Sequence, residues 1–167
     1  MPASEINLRL TVRLVSQATI SVMSDQTPST TPSWSAGLPE PKSTPSEIKP
    51  EKLAEFIKTG SAQVGKDYLV VDVRRTDFED YAIPGAINLP AHSFYATREG
   101  VVALLKNVRI VIFHCQSCGK LASRGRQIAA HYQDTLNEKG VATSGAFYLE
   151  GGIKEISKLM LICTNNT

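Results

Sequence analysis

Cysteine is scarce in this chain: three residues in 167, at positions 115, 118 and 163. So low and odd a count cannot build the disulfide framework of a small secreted domain, and a reducing, cytoplasmic or nuclear setting is expected. Long apolar runs are missing too. The longest, near Val111 and Leu161, last only a few residues, far short of the roughly 20 a membrane-spanning helix requires. A soluble protein with no membrane partner is therefore expected. Charge of one sign is also lacking: 18 Lys and Arg stand against 16 Asp and Glu, scattered among one another, for a net charge of +2. That leaves no basic block for a nucleic-acid partner. Nor is there an internal repeat of about 20 to 50 residues, which sets aside solenoids and propellers. What remains, 42% hydrophobic and 20% charged residues, suffices for one globular domain and hardly for two.

Seven of the nine prolines lie in the first 50 residues, and Ser24 to Ser46 is mostly Ser, Thr, Pro and small residues. Such a stretch cannot bury enough apolar surface to offset its ordering entropy, so residues 1–45 read as a disordered or targeting arm. Trp34, inside it, reads as a solitary aromatic, exposed or resting on the domain surface. In residues 1–22, Arg9 and Arg13 are the only basic side chains and Glu5 the only acid, which resembles a weak mitochondrial-type presequence. The period-two alternation of Ile6, Leu8, Leu10, Val12 and Leu14 argues instead for a strand. A start at Met23 is a third reading.

From Pro50 the pattern turns globular. Pro50 suits a first helical position, Leu53, Phe56 and Ile57 share a face, and Gly60 can close the helix. Tyr68 to Val73 is a continuous apolar run of strand length, the mark of a strand buried on both faces of a parallel sheet. Ala86 to Leu89, between Pro84-Gly85 and Pro90, reads as a second strand. A weaker helix over about Ser93 to Lys106 precedes a strand ending at Cys115. A helix follows from about Arg124 to Glu138, with Ile128, Tyr132 and Leu136 spaced by four. Ala146 to Leu149 gives another strand, and Ile153, Ile156 and Met160 a last helix. Strands alternating with helices predict an α/β domain around a mainly parallel sheet, over residues 46–160, with 161–167 as a tail.

Open α/β sheets bind ligands beyond the carboxyl ends of their strands, where this sequence places Asp72-Val73-Arg74 and His114-Cys115. Behind Cys115 comes a polar loop, Gln116-Ser117-Cys118-Gly119-Lys120-Leu121-Ala122-Ser123, and then Arg124 at a helix start. A strand that stops at Cys and turns into a helix aims backbone N–H groups and the positive helix terminus at one spot, which favours anions and the thiolate. Beside a guanidinium at such a site, thiol pKa values of roughly 3.5–7.5 are typical. The bland alternative for Cys115 is a buried structural thiol, and for Arg124 an exposed first-turn residue. A cation at a helix start is poorly placed unless an anion compensates it. The Arg124 fork matches a tetrahedral oxyanion such as phosphate or arsenate.

Four motifs in order carry a resemblance: Val70-Val71-Asp72-Val73-Arg74, Ile83-Pro84-Gly85-Ala86-Ile87-Asn88-Leu89-Pro90, His114-Cys115 after an apolar strand, and Leu149-Glu150-Gly151-Gly152-Ile153. Together they resemble a rhodanese-like domain over about Ser46 to Lys158. The His-Cys pair with Arg124-Gly125 at a helix start is similar to the phosphatase and arsenate-reductase branch, that of M-phase inducer phosphatases and their small fungal relatives. The resemblance implies a five-stranded, mainly parallel sheet flanked by helices, no metal, and a loop that wraps an oxyanion. It puts the nucleophile on Cys115 and the oxyanion-binding arginine on Arg124, with Gln116, Ser117, Cys118 and Gly119 as the phosphate-binding loop. The implied reaction is hydrolysis of a phosphate ester through a phosphocysteine. The alternative is arsenate reduction, with glutathione as co-substrate and no other cofactor. The expected partner is a phosphorylated protein or a small oxyanion. Asp72 and Arg74 then read as a pair that fixes the sheet end, His114 as a residue that orients the loop, and Glu150 as a group near the leaving group.

One feature departs from that branch, which has five residues between nucleophile and arginine. Eight separate Cys115 from Arg124. The longer closure costs only about 0.4 kcal/mol, but a shift of about 1 Å at the site can cost a hundredfold in rate. Five residues do separate Cys118 from Arg124, which makes Cys118 a rival nucleophile; Cys115 is favoured because it ends the strand. Cys115-Gln116-Ser117-Cys118 is also a C-x-x-C, the spacing of a thiol-redox pair. A binding module without turnover and, more weakly, sulfur transfer are further readings. A zinc site is weak, because His131 and Cys163 lack ligand spacing; His92 and His131 read as surface residues.

Overall fold

Strands buried on both faces need helices on both sides, and the chain supplies them alternately. The computed structural model describes residues 33–76 and 81–164, with side chains as far as Met160. The strands are β1 (Ser46–Ile48), β2 (Tyr68–Asp72), β3 (Ile87–Asn88), β4 (Ile110–His114) and β5 (Gly145–Leu149). They form one sheet in the order β1-β5-β4-β2-β3, every neighbouring pair parallel. The helices are α1 (Pro50–Thr59), α2 (Ala91–Leu105), α3 (Arg124–Glu138) and α4 (Gly152–Thr164).

Alternate strand residues serve opposite faces. Val70, Ile112 and Leu149 meet Leu53 of α1 and Ile153 and Ile156 of α4 in one core. Val71, Val111 and Phe113 meet Phe94 of α2 and Ile128, Tyr132 and Leu136 of α3 in the other. All five residues of β2 are buried, as its unbroken apolar run predicts. Gly60 ends α1 in the left-handed region, at φ 61°, and donates its N–H to the Phe56 carbonyl at 3.2 Å.

The structure also departs from the sequence reading. Strand β1 escapes periodicity because it has three residues and only Ile48 is buried; pairing with β5 alone defines it. Helix α2 begins at Ala91, straight after Pro90, two residues before the expected start. Residues 33–45 fall within the stretch that composition reads as an arm, yet they lie along α3. The N–H groups of Lys42 and Ser43 both donate to the Asp134 carboxylate at 2.8 Å, Pro45 is buried, and Trp34 rests half-buried on the α2–α3 core. Proline loses less entropy than other residues on ordering, so a few good partners suffice. His131 is buried rather than superficial, edge-on to Tyr95 with ring centres 4.9 Å apart. Helix α4 continues through Thr164, so most of the supposed tail is helical. The readings of residues 1–32, of the Cys163 side chain and of residues 165–167 lie outside the described residues. Among the described residues no helix is long and apolar enough to cross a membrane.

Candidate active site

Strands β2 and β4 are neighbours in register, with Asp72 opposite His114. Their ends form one corner of the sheet. Arg74, buried there, is tolerable only because its charge is fully engaged. Its Nε donates to both oxygens of Asp72, at 3.1 and 3.0 Å, and its Nη2 to Oδ2 at 2.7 Å. Its main-chain N–H takes Oδ1 at 3.0 Å, and Nη2 also reaches the Tyr81 carbonyl at 2.6 Å. The Asn88 amide ties the carbonyls of Asp72 and Arg74 together, each at 3.0 Å. The expected pair at the sheet end is thus present. It also reaches the polar loop, through Nη1 of Arg74 and the Gln116 side-chain oxygen at 3.4 Å.

His114 is wholly buried. Burial outweighs the attraction of Asp72 and pulls its basicity down, which leaves a neutral imidazole. Nδ1 faces the Cys115 carbonyl at 3.3 Å, a contact that is a hydrogen bond in the tautomer with the proton on Nδ1. Nε2 lies 3.5 Å from Asp72 Oδ2 without a hydrogen bond.

The loop after β4 is pinned by the start of α4. The N–H groups of Ile153, Lys154 and Gly151 donate to the carbonyls of Cys115, Gln116 and Cys118 at 3.0, 3.3 and 2.7 Å. In a trans peptide the N–H points opposite to the C=O. Holding these three carbonyls to α4 therefore turns the amides of Gln116, Ser117 and Gly119 the other way. Glycine is required for this contact: a Cβ on Gly152, at φ 62°, would lie 2.5 Å from the Cys115 oxygen. Gly125 plays the same part for α3, since a Cβ there would lie 2.5 Å from Cys118 Sγ and 3.0 Å from His114 Cα.

These approaches bring the two thiols together. Cys115 Sγ and Cys118 Sγ are 3.2 Å apart, and the Cys115 N–H donates to Cys118 Sγ at 3.3 Å. The hydrogen bond from Cys118, then the amides of Gly125 and Ser117 and the charge of half-buried Arg124, draw the Cys115 thiol down to about 6, against the opposing effect of burial. Cys118 is pushed far up by that same bond, by burial and by the neighbouring thiolate. The pair thus divides into a thiolate at 115 and a thiol at 118. The Ser123 hydroxyl, buried without a well-oriented partner among the described residues, lies near enough to favour charge on Cys118.

Lys120 to Ser123 make a turn, closed by the Ser123 N–H on the Lys120 carbonyl at 3.0 Å, with Leu121 74% exposed. An open cleft of about 870 Å³ runs from Pro50 and Glu51 of α1 past Ser117 and Cys118 to Lys154 of α4. Cys118 lines it and Cys115 does not. Glu150 stands on its wall, paired with Lys49 at 2.5 Å. Among the described residues no three or more His, Cys, Asp or Glu side chains gather as metal ligands. Sequence reasoning missed Ser123, the link from Gln116 to Arg74 and the clamp of α4 on the loop; the Gly151-Gly152 pair was the available signal for the last.

A parallel sheet whose central strand delivers a low-pKa thiol into an amide-lined loop beside an arginine defines a thiol-loop α/β domain. The chain belongs to the rhodanese-like family: residues 49–159 match the family model described as Rhodanese-like domain. Among solved structures it is similar to the As-Sb reductase from Leishmania major, with TM-score 0.61 and 23% identity over 69% of this chain and 78% of that one. It is also similar to a Saccharomyces cerevisiae protein described as a homologue of single-domain rhodanese and the Cdc25 phosphatase catalytic domain, with TM-score 0.56 and 20% identity over 68% and 80% of the two chains. A third, a possible tyrosine phosphatase from Rhodopseudomonas palustris, has TM-score 0.50 and 15% identity over 70% and 82%. At such identities the likeness establishes the fold. No curated protein matches the chain in sequence.

Proposed function

We propose that this chain is a cysteine-dependent phosphatase acting on a phosphorylated protein or a small phosphate ester. The observation that carries the reading is the placement of Cys115 directly after β4, with Cys118 Sγ at 3.2 Å and the Gly125 and Ser117 amides and Arg124 nearby, surroundings that draw its thiol down to about 6. In this mechanism the Cys115 thiolate attacks phosphorus in line and the ester oxygen leaves. Arg124 holds two equatorial oxygens, and the loop of Gln116, Ser117, Cys118 and Gly119 offers its amides to the charge that develops. Water then hydrolyses the phosphocysteine. His114, buried and neutral, positions the loop through the Cys115 carbonyl, and the Asp72–Arg74 pair steadies it through Gln116.

The test is hydrolysis of a small aryl phosphate by the wild type, Cys115→Ser and Cys118→Ser. Loss of turnover in Cys115→Ser, with Cys118→Ser still active, is the expected result. Loss only in Cys118→Ser moves the nucleophile, and inactivity of the wild type overturns the proposal.

The second thiol, 3.2 Å from the first, favours a second reading of the same site. Thiolate attack on the arsenic of arsenate gives an adduct that another thiol can break by taking the sulfur. This is arsenate reduction, with glutathione as the simplest co-substrate, and it is the activity named for the Leishmania major structure.

A further inference from the structure

We infer that Cys118 is the resolving thiol of arsenate reduction: it attacks the sulfur of an arsenic-bonded Cys115 and releases arsenite, so glutathione is not needed at that step. The inference rests on the arsenate reading above and replaces its external thiol with an internal one.

Three observations carry it. The two sulfurs are already 3.2 Å apart and need close only to the roughly 2.0 Å of a disulfide. The position of Cys118 is fixed independently of Cys115 Sγ: its carbonyl is held by the Gly151 N–H at 2.7 Å, and its sulfur occupies the space left by the missing Cβ of Gly125. Finally, Cys115 is only 4% exposed and Cys118 is fully buried, so an external thiol has little access to either sulfur, whereas Cys118 is already in contact with Cys115.

The order of events follows from the charges. In the resting site Cys118 keeps its proton because it donates to the Cys115 thiolate. Once that sulfur is bonded to arsenic, the negative charge is gone. The Cys115 N–H at 3.3 Å and the Ser123 hydroxyl then favour the Cys118 thiolate. In the first step a sulfur–arsenic bond forms and an oxygen of arsenate leaves as water. In the second, a sulfur–sulfur bond forms and the sulfur–arsenic bond breaks. Its electron pair goes to arsenic, which falls from arsenic(V) to arsenic(III), and the Cys118 proton ends on an arsenite oxygen. Two thiols become one disulfide, and an external dithiol restores them by exchange. The same attack on a phosphocysteine would require thiols to reduce phosphorus(V). Water therefore completes phosphate release, and Cys118 remains a hydrogen-bond donor in that reaction.

The experiment uses the full chain, reduced and freed of small thiols, mixed with arsenate alone. The wild type is expected to release arsenite in proportion to protein, with the tryptic peptide Ile110–Lys120, which holds both cysteines, lighter by two hydrogens. Cys118→Ser is expected to give about tenfold less arsenite or lower until glutathione is added, and that rescue shows the variant folded. A wild type that makes arsenite only with glutathione, or a Cys118→Ser that matches it without any thiol, overturns the inference alone. No arsenite from the wild type under either condition overturns it together with the arsenate reading, and aryl phosphate hydrolysis by the same preparation then reports separately on the phosphatase.

Discussion

The corner built on Asp72 and Arg74 and the loop that starts at Cys115 lie side by side on one edge of the sheet, yet they treat buried polarity in opposite ways. In the corner, Asp72 accepts from Arg74 four times and the rest of the guanidinium is spoken for by Tyr81 and Gln116. In the loop, two thiols share one close contact, and His114 Nε2 and Ser123 Oγ lack well-oriented partners among the described residues. A satisfied network fixes geometry and has nothing left to react. The loop beside it has capacity left: its Gln116, Ser117 and Gly119 amides are turned away from α4.

Substitutions in the two regions should therefore separate stability from turnover. The largest effect is expected for Cys115→Ser, with aryl phosphate hydrolysis falling on the order of 10⁴-fold or more and the urea midpoint unchanged. Arg74→Met strands the buried Asp72 carboxylate and is expected to cost about 3–5 kcal/mol of stability, read from urea unfolding. Adding Asp72→Asn should recover part of that loss. Arg124→Lys replaces a planar fork with a point charge, and kcat/KM is expected to drop about 100-fold with little change in stability. The smallest effect is a shift in pH profile. Hydrolysis should rise with pH as Cys115 ionises, with the limb near 6. Cys118→Ala removes the hydrogen bond that most favours the thiolate, so the limb should move up by about one unit. Activity is then lost near pH 6 and kept near pH 8. An unmoved limb would detach Cys118 from the tuning of Cys115.

The same contrast marks how far the sequence could be read. Strands β2, β4 and β5 and helices α1, α3 and α4 were legible because their apolar residues recur at the period of a buried element. Val70 and Val71, or Ile128, Tyr132 and Leu136, need no tertiary information to be placed. Strand β1 and residues 33–45 were not legible, because what orders them is non-local: the backbone of β5 for one, the Asp134 carboxylate for the other. At the site, the strand end at Cys115 and the Asp72–Arg74 pair could be foreseen from position along the chain. The contact of Cys115 with Cys118 could not, since it depends on Gly125 and Gly152 letting α3 and α4 close on the loop. His131 was misjudged for a similar reason: its burial comes from Tyr95 on the neighbouring helix.

The most direct measurement is the pH dependence of alkylation at Cys115 in the reduced wild-type chain, followed by peptide mapping. A midpoint near 6 at Cys115, with Cys118 unreactive across the same range, is the result this account predicts. A midpoint near the ordinary thiol value of about 8.5 at Cys115, or a lower one at Cys118, would contradict it.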